Sequence, residues 1–295
     1  MSSWIYFTLL AATMQAVRTA GQKQLSLELS PMAATAVRYL FALPFAALYL
    51  YVVFSVQAVE LPDFNSAFIF YVGIASISQI LGTAFLIAAF SYRNFAVATS
   101  LSKTEAIQVA VVGAVLFSAS LSFLGWLSVI VGVLGVLIVS KVRFTANDIF
   151  RNPGAGYGVA SGLGLAVTTL LIRESSLALN TDLILSAAIT LLVMIIVQSI
   201  MSFFYLLLRE PEQFMYIFKN WRLSLFVGIT SVLGSIGWFT GASLQHAAYV
   251  KALGQVEFFV TLALTYKVFK ERVSTREYTG MLLIVLSVVI LLIWA

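Results

Sequence analysis

The sequence predicts an all-α integral membrane protein of ten transmembrane helices, arranged as two inverted five-helix repeats. Three observations carry that prediction. Of 295 residues, 61% are hydrophobic and only 10% are charged, far from the roughly 25% charged residues of soluble domains. Runs of about 20 apolar residues, the length that crosses a hydrocarbon core, recur from one end of the chain to the other. Segments of the first half also reappear in the second at a nearly constant offset.

The elements follow in order. The opening MSSWIYFTLLAATMQAV lacks the basic start and small-residue cleavage site of a secretory signal, so it reads as a retained first helix over 4–26. Ser30-Pro31 breaks the chain before a second span over 32–56. Pro44 lies inside that span and predicts a kink there. Leu61-Pro62-Asp63 precedes a third span over 66–91, and spans over 95–117 and 122–141 complete the first half. KVRFTANDIFRNP at 141–153 is a polar linker, so residues 1–150 hold the first repeat with its linker and 151–295 hold the second. The second half spans 155–178, 182–208, 222–245, 247–269 and 275–295, with Glu210-Pro211-Glu212 marking a turn. In GAGYGVASGLG, Gly154, Gly158 and Gly162 share one helical ridge, the spacing of close helix packing in membranes.

The duplication is legible at three places. AVRTAGQKQLSLEL at 16–29 aligns with AVTTLLIRESSLAL at 166–179, an offset of 150. VGIAS at 72–76 aligns with VGITS at 227–231, an offset of 155 that Gly82 and Gly237 keep. Glu105 falls on Glu257 at an offset of 152, flanked by Leu101/Leu253, Phe117/Phe269 and Ser122/Ser274. Five spans per copy force the second copy to enter the membrane upside down. Inverted repeats place their substrate site near the midplane, between the halves.

Ten spans in a 5+5 duplication resemble the drug/metabolite transporter superfamily, and within it the EamA-type transporters. The ninth span ends VFKERVSTREYTG, where Glu271-Arg272-Val273 fits the family's Leu-Gly-Glu-Arg-Leu ending. The fourth ends LFSASLSFLGW and lacks the Glu-Arg pair. Ala106 and Phe258 stand where the family's mid-span element has proline. The resemblance implies a transporter, not an enzyme, for small organic metabolites. It implies export, residence in a bacterial inner membrane, cytoplasmic termini, and a cavity lined by spans 3, 4, 8 and 9.

The charges argue differently about orientation. Of 17 lysines and arginines, twelve (Lys23, Arg93, Lys141, Arg143, Arg151, Arg209, Lys219, Arg222, Lys267, Lys270, Arg272 and Arg276) lie at the connections after odd-numbered spans. The positive-inside rule then places both termini outside the cytoplasm. The net charge of +5 therefore speaks to orientation and gives no reason to expect nucleic acid.

The remaining basic residues are Arg18, Arg38, Lys103, Arg173 and Lys251. A charge at a helix centre costs roughly 2.5–3.5 kcal/mol on insertion scales, so each deep one needs a partner or a function. Glu105 and Glu257, about eleven residues into their spans at about 1.5 Å per residue, reach the bilayer centre. They read either as substrate or proton-coupling groups or as halves of buried salt bridges. Lys103 and Glu105 project about 200° apart on a continuous helix, so each must find a partner elsewhere. Across the repeat the candidates are Glu257 for Lys103, and Arg18 or Lys251 for Glu105. Arg18 has Thr168 as its counterpart, so it belongs to an asymmetric site or to a structural pair. Arg38 reads as an anchor, and Arg173 as a side chain snorkelling from a helix end. The surplus of deep basic residues points to an anionic or zwitterionic substrate. Gln79, Trp238, Tyr249 and Gln255 are weaker candidates for the cavity lining, with ordinary packing as the alternative for each aromatic.

Several classes are set aside. No cysteine and one histidine, His246, leave no disulfide, no thiolate nucleophile and no metal set, and no cofactor is expected. No phosphate-binding Walker loop is present, so ATP does not drive the protein directly. A lipid or lipid-linked headgroup flippase is the alternative within transport, and an intramembrane transferase is the alternative outside it. The expected partners are a small organic molecule and membrane lipids. Both a monomer and a homodimer remain open.

Overall fold

The computed structural model describes residues 2–57, 61–89, 101–119, 121–139, 153–260, 263 and 275–294. Arg93, Lys141, Arg143, Arg151, Lys267, Lys270, the Glu271-Arg272-Val273 element, Phe269, Ser274 and nearly all of the linker lie outside them. The described residues form helices α1 (Ser3–Leu25), α2 (Pro31–Leu40), α3 (Leu43–Gln57), α4 (Ser66–Ala89), α5 (Glu105–Phe117), α6 (Phe123–Val139), α7 (Pro153–Ala178), α8 (Leu183–Arg209), α9 (Gln213–Lys219), α10 (Trp221–Leu244), α11 (Ala247–Gly254) and α12 (Thr275–Trp294). Five stretches are long and apolar enough to cross a membrane: Pro31–Val56, α4, Gly154–Ala178, α8 and α10. Three shorter apolar helices join them, at Glu105–Phe117, Phe123–Val139 and Tyr278–Ile293.

Local chemistry sets the helix ends. Pro31 starts α2 behind Ser30, whose hydroxyl accepts from the Ala33 amide at 3.1 Å. Asp182 caps α8, accepting from the Ile184 and Leu185 amides at 2.9 and 3.1 Å. The kink expected at Pro44 appears as a break at Phe41–Ala42. Proline at the second position of α3 is compatible with a helix start but not with continuation of α2. The segment read as a loop before α10 contains the short helix α9, held because Ile217 is buried against Leu206 and Val227.

The main packing is pairwise: α1 on α10, α4 on α7, α6 on α12, and α8 against α2 and α3. Glycines allow the first two pairs to approach closely. Gly164 lies on Gly82, and the Ser161 hydroxyl donates to the Gly82 carbonyl at 2.8 Å. Gly237 lies on Phe7 and Ala11 of α1. Close packing of α7 therefore runs through Gly162 and Gly164, with Gly162 against the Ser102 carbonyl. The outer faces carry exposed apolar side chains such as Tyr51, Phe70, Val115, Leu208 and Leu282, as a lipid-facing surface requires.

One end of the bundle is polar. Ser30 bonds Glu210 and Gln213, and Asn220 donates to Glu28 at 3.0 Å. The antiparallel α1–α10 pair, with Gly21 beside Val227, brings Lys23 to the same end as Arg222.

Arg173 does not snorkel. Its Nη1 donates to the carbonyls of Ala242, Ser243 and Gln245 at 2.8, 3.3 and 2.7 Å, closing the C-terminus of α10. His246 follows in the junction between α10 and α11, and its ring meets Tyr249 edge-on at 5.8 Å. Burial lowers the affinity of this imidazole for a proton, and the nearby Arg173 lowers it further. A depressed histidine is protonated more readily in the unfolded chain. Its contribution to stability is therefore intact above the ordinary value near 6.5 and falls as pH drops through it. A small loss of thermal stability between pH 7.5 and 5.5 is expected, and His246→Gln should remove that part of the pH dependence in melting experiments.

Candidate functional site

The two mid-span glutamates stand at helix breaks. Helical residues 101–102 give way to a turn at 103–104, and α5 restarts at Glu105. Likewise α11 ends at Gly254, residues 255–256 form a turn, and helix resumes over 257–260. Each carboxylate thus occupies the first turn of a half-helix, where unsatisfied N–H groups and the dipole favour negative charge. Lys103 and Glu105 are not two positions of one continuous helix, so the 200° separation is not what parts them. The break parts them.

The partners are crossed. Lys103 Nζ lies 2.6 Å from Glu257 Oε2, and Lys251 Nζ lies 2.7 Å from Glu105 Oε1. The second pair is the more evenly buried, with side chains 11% and 10% exposed, against 26% and 8% for the first. Glu257 Oε2 also accepts from Gln15 Nε2 at 2.8 Å, and Gln15 Oε1 accepts from Trp238 Nε1 at 2.8 Å. Lys251 Nζ sits 4.0 Å above the Trp238 ring, a cation–π contact. The Thr169 hydroxyl approaches Glu105 Oε1 at 3.5 Å. Gln15, Lys103, Glu105, Trp238, Lys251, Gln255, Glu257 and Phe258 thereby line one cavity of about 30 Å³. Its open interior admits a few waters at most.

Of the residues singled out in the sequence, this cavity gathers Lys103, Glu105, Trp238, Lys251, Gln255 and Glu257. Gln255 is 8% exposed, and neither of its amide atoms has a partner among the described residues. Arg18 is buried on α1 and does not line this cavity. Gln79 lies elsewhere, accepting from Gln198 Nε2 at 2.8 Å. Tyr249 also stands apart, its hydroxyl against Gly125. Gln15 escaped the sequence reading. Its signal was an amide three residues before Arg18 in an otherwise apolar helix face, which alone does not separate it from Thr13 or Thr19.

Residues 2–141 match the EamA-like transporter family. That match over the first half of the chain, with five helices long and apolar enough to cross a membrane, supports a multi-pass membrane protein similar to transporters. A solved structure titled "Crystal structure of protein" superposes at a TM-score of 0.74 with 15% identity, covering 100% of this chain and 99% of that one. That likeness speaks to the fold alone. No curated protein matches the chain.

Among the described residues no group of histidine, aspartate and glutamate could hold a metal ion. The site's chemistry is that of two charge pairs whose members belong to different helices.

Proposed function

We propose that this protein is a secondary carrier of small organic metabolites that works by alternating access around the Glu105/Glu257 cavity. One observation carries the reading: two broken helices present matched glutamates, each paired with the lysine of the other helix. The breaks at 103–104 and 255–256 keep the offset of 152 that relates the glutamates themselves. The packing supports two inverted five-span repeats of 1–150 and 151–295. Span 1 packs on span 8 as span 6 packs on span 3, while spans 5 and 10 pair with each other. A pseudo-two-fold axis maps each of these pairs onto its image.

The mechanism follows from the electrostatics. With both pairs closed, the cavity is too small for a metabolite. A substrate group of either sign competes for one member of a pair, and a proton on either glutamate releases its lysine. Each event weakens a contact between half-helices of opposite repeats and lets them part. Proton coupling and export are the corresponding finer readings. The basic residues Lys23, Arg209, Lys219 and Arg222 at one end favour that end as cytoplasmic, with both termini on the other side.

The test is a thermal-shift screen of purified protein against small metabolites and lipids, with a Glu105→Gln/Glu257→Gln variant alongside. A metabolite that stabilises only the wild type is the expected result. Stabilisation by lipids alone would replace this reading with the flippase. Equal stabilisation of both proteins by a metabolite would move the site away from the glutamates.

A further inference from the structure

Among the described residues, the charge balance of the bundle interior leaves two cations over. The lysines Lys103 and Lys251 are matched one-to-one by Glu257 and Glu105. Arg18 and Arg38 are also buried, at 6% and 5% exposure, and neither is paired with a carboxylate among the described residues. Arg18 Nε and Nη1 are buried with no hydrogen-bond partner. Arg38 Nη1 donates to a neutral acceptor, Thr83 Oγ1, at 3.0 Å. A guanidinium does not shed its proton to escape burial as a lysine can. An unpaired buried charge is among the costliest features a structure can hold.

The two arginines share one region. Gly234 lies against Met14 and Gly21 against Val227, so antiparallel packing sets Arg18 at the level of Thr230 and Ser231. Ser231 lines a second cleft with Arg38, Tyr39, Gln79, Gln198 and Ser235, which is closed in this conformation and must part to admit an anion. In the cleft and on α1 beside Arg18 stand further buried polar atoms without partners among the described residues. The donors are Gln22 Nε2, one turn along α1 from Arg18, and the Ser231 hydroxyl, and Gln198 Oε1 remains to accept. Arg18 is within electrostatic range of Arg38, Glu257, Tyr39 and Glu105.

We propose that Arg18 and Arg38, with Ser231 and Gln22, form an oxyanion site separate from the lysine–glutamate cavity, which takes the carboxylate or phosphate group of the transported molecule. Donors without acceptors around two fixed cations are what such a group satisfies, and the guanidinium fork matches its geometry. The proposal rests on the transport reading and gives the substrate its sign. The lysine–glutamate cavity is neutral as it stands and adds no second anion site. The anionic group is held on the arginines, while the rest of the molecule extends toward Trp238 and the charge pairs.

The experiment is a thermal-shift titration of the full chain in neutral detergent. Sodium phosphate and sodium malonate are the probes, with sodium chloride at equal ionic strength as reference. Saturable stabilisation of the wild type by either oxyanion is expected. Arg18→Gln and Arg38→Gln should each weaken it at least about tenfold, and Arg38→Lys should restore part of it. A second readout separates this role from a structural one. Without anion, Arg18→Gln should melt no lower than the wild type, because it removes an uncompensated buried charge. Repeating the titration in phosphatidylcholine nanodiscs with and without phosphatidylglycerol identifies the source. A phosphate shift abolished by phosphatidylglycerol assigns the site to a lipid headgroup, and a persistent shift assigns it to a soluble anion. Either result sustains the oxyanion site. No shift in the wild type, or equal shifts in the arginine variants, would overturn it. Loss of the shift in Glu105→Gln/Glu257→Gln alone would also overturn it, leaving the transport reading intact. Failure of the metabolite screen with the arginine-dependent shift intact would overturn the transport reading instead.

Discussion

Lys251→Met is expected to destabilise the protein by about 3–5 kcal/mol, and Lys251→Met combined with Glu105→Gln is expected to recover most of that loss. The single substitution removes an ammonium 2.7 Å from Glu105 Oε1 and 4.0 Å above the Trp238 ring. What remains is a buried carboxylate whose nearest other hydrogen-bonding contact is the Thr169 hydroxyl at 3.5 Å. The energetic cost lies in that stranded charge. Neutralising Glu105 as well removes the charge, which is why the double variant gains back stability that the single one lost. Lys103→Met should cost less, because Glu257 keeps the Gln15 amide at 2.8 Å and Lys103 is the more exposed lysine. Denaturant unfolding of the two single variants, the partner variants and the doubles forms the cycle that reads each coupling. A double variant as unstable as Lys251→Met alone would mean that Lys251 acts by packing on Trp238 and not by holding Glu105.

That pairing was partly legible in the sequence, and the reason is physical. A deep charge in an apolar segment has few places to go, so counting deep charges gave Glu257 for Lys103 but left Arg18 and Lys251 both open for Glu105, between which the folded chain chooses Lys251. Helix ends at Pro31, Asp182 and Pro153 were legible for the same kind of reason, since caps and prolines act locally. The break at 103–104 was not. SLSKTEA carries neither proline nor glycine, so nothing local interrupts the helix. The interruption is compensated from the other half of the chain, by contacts that only the folded chain supplies. The same limit hid Gln15, whose role exists only where α1 meets Trp238 and Glu257. It also hid the isolation of Arg18, because a deep arginine looks the same in sequence whether or not a carboxylate reaches it.

Gly237→Ala is expected to cost about 1–3 kcal/mol or more, and Gly73→Ala to be neutral or to stabilise by up to about 1 kcal/mol. Both are glycines inside long helices, and alanine is the better helix former at each. The difference is what the added methyl meets. At Gly73 nothing lies within 4 Å. At Gly237 a Cβ would press into the Phe7 carbonyl oxygen and stand 2.8 Å from both the Ala11 Cβ and the Ala11 amide nitrogen. Backbone cannot rotate aside, so α1 would have to move off α10. Gly82, the counterpart of Gly237 at an offset of 155, meets Leu165 at 3.1 Å on both its Cγ and its backbone nitrogen. Gly82→Ala should therefore destabilise in the same direction by a smaller amount. Because the two glycines sit in different helix pairs, α4–α7 and α1–α10, their losses should add in the double variant. Melting temperatures of the three single variants and the double decide the matter. Additive losses at Gly82 and Gly237 with none at Gly73 would place equivalent close contacts in both halves. A loss at Gly237 alone would mean that the α1–α10 crossing is tight and the α4–α7 crossing can relax.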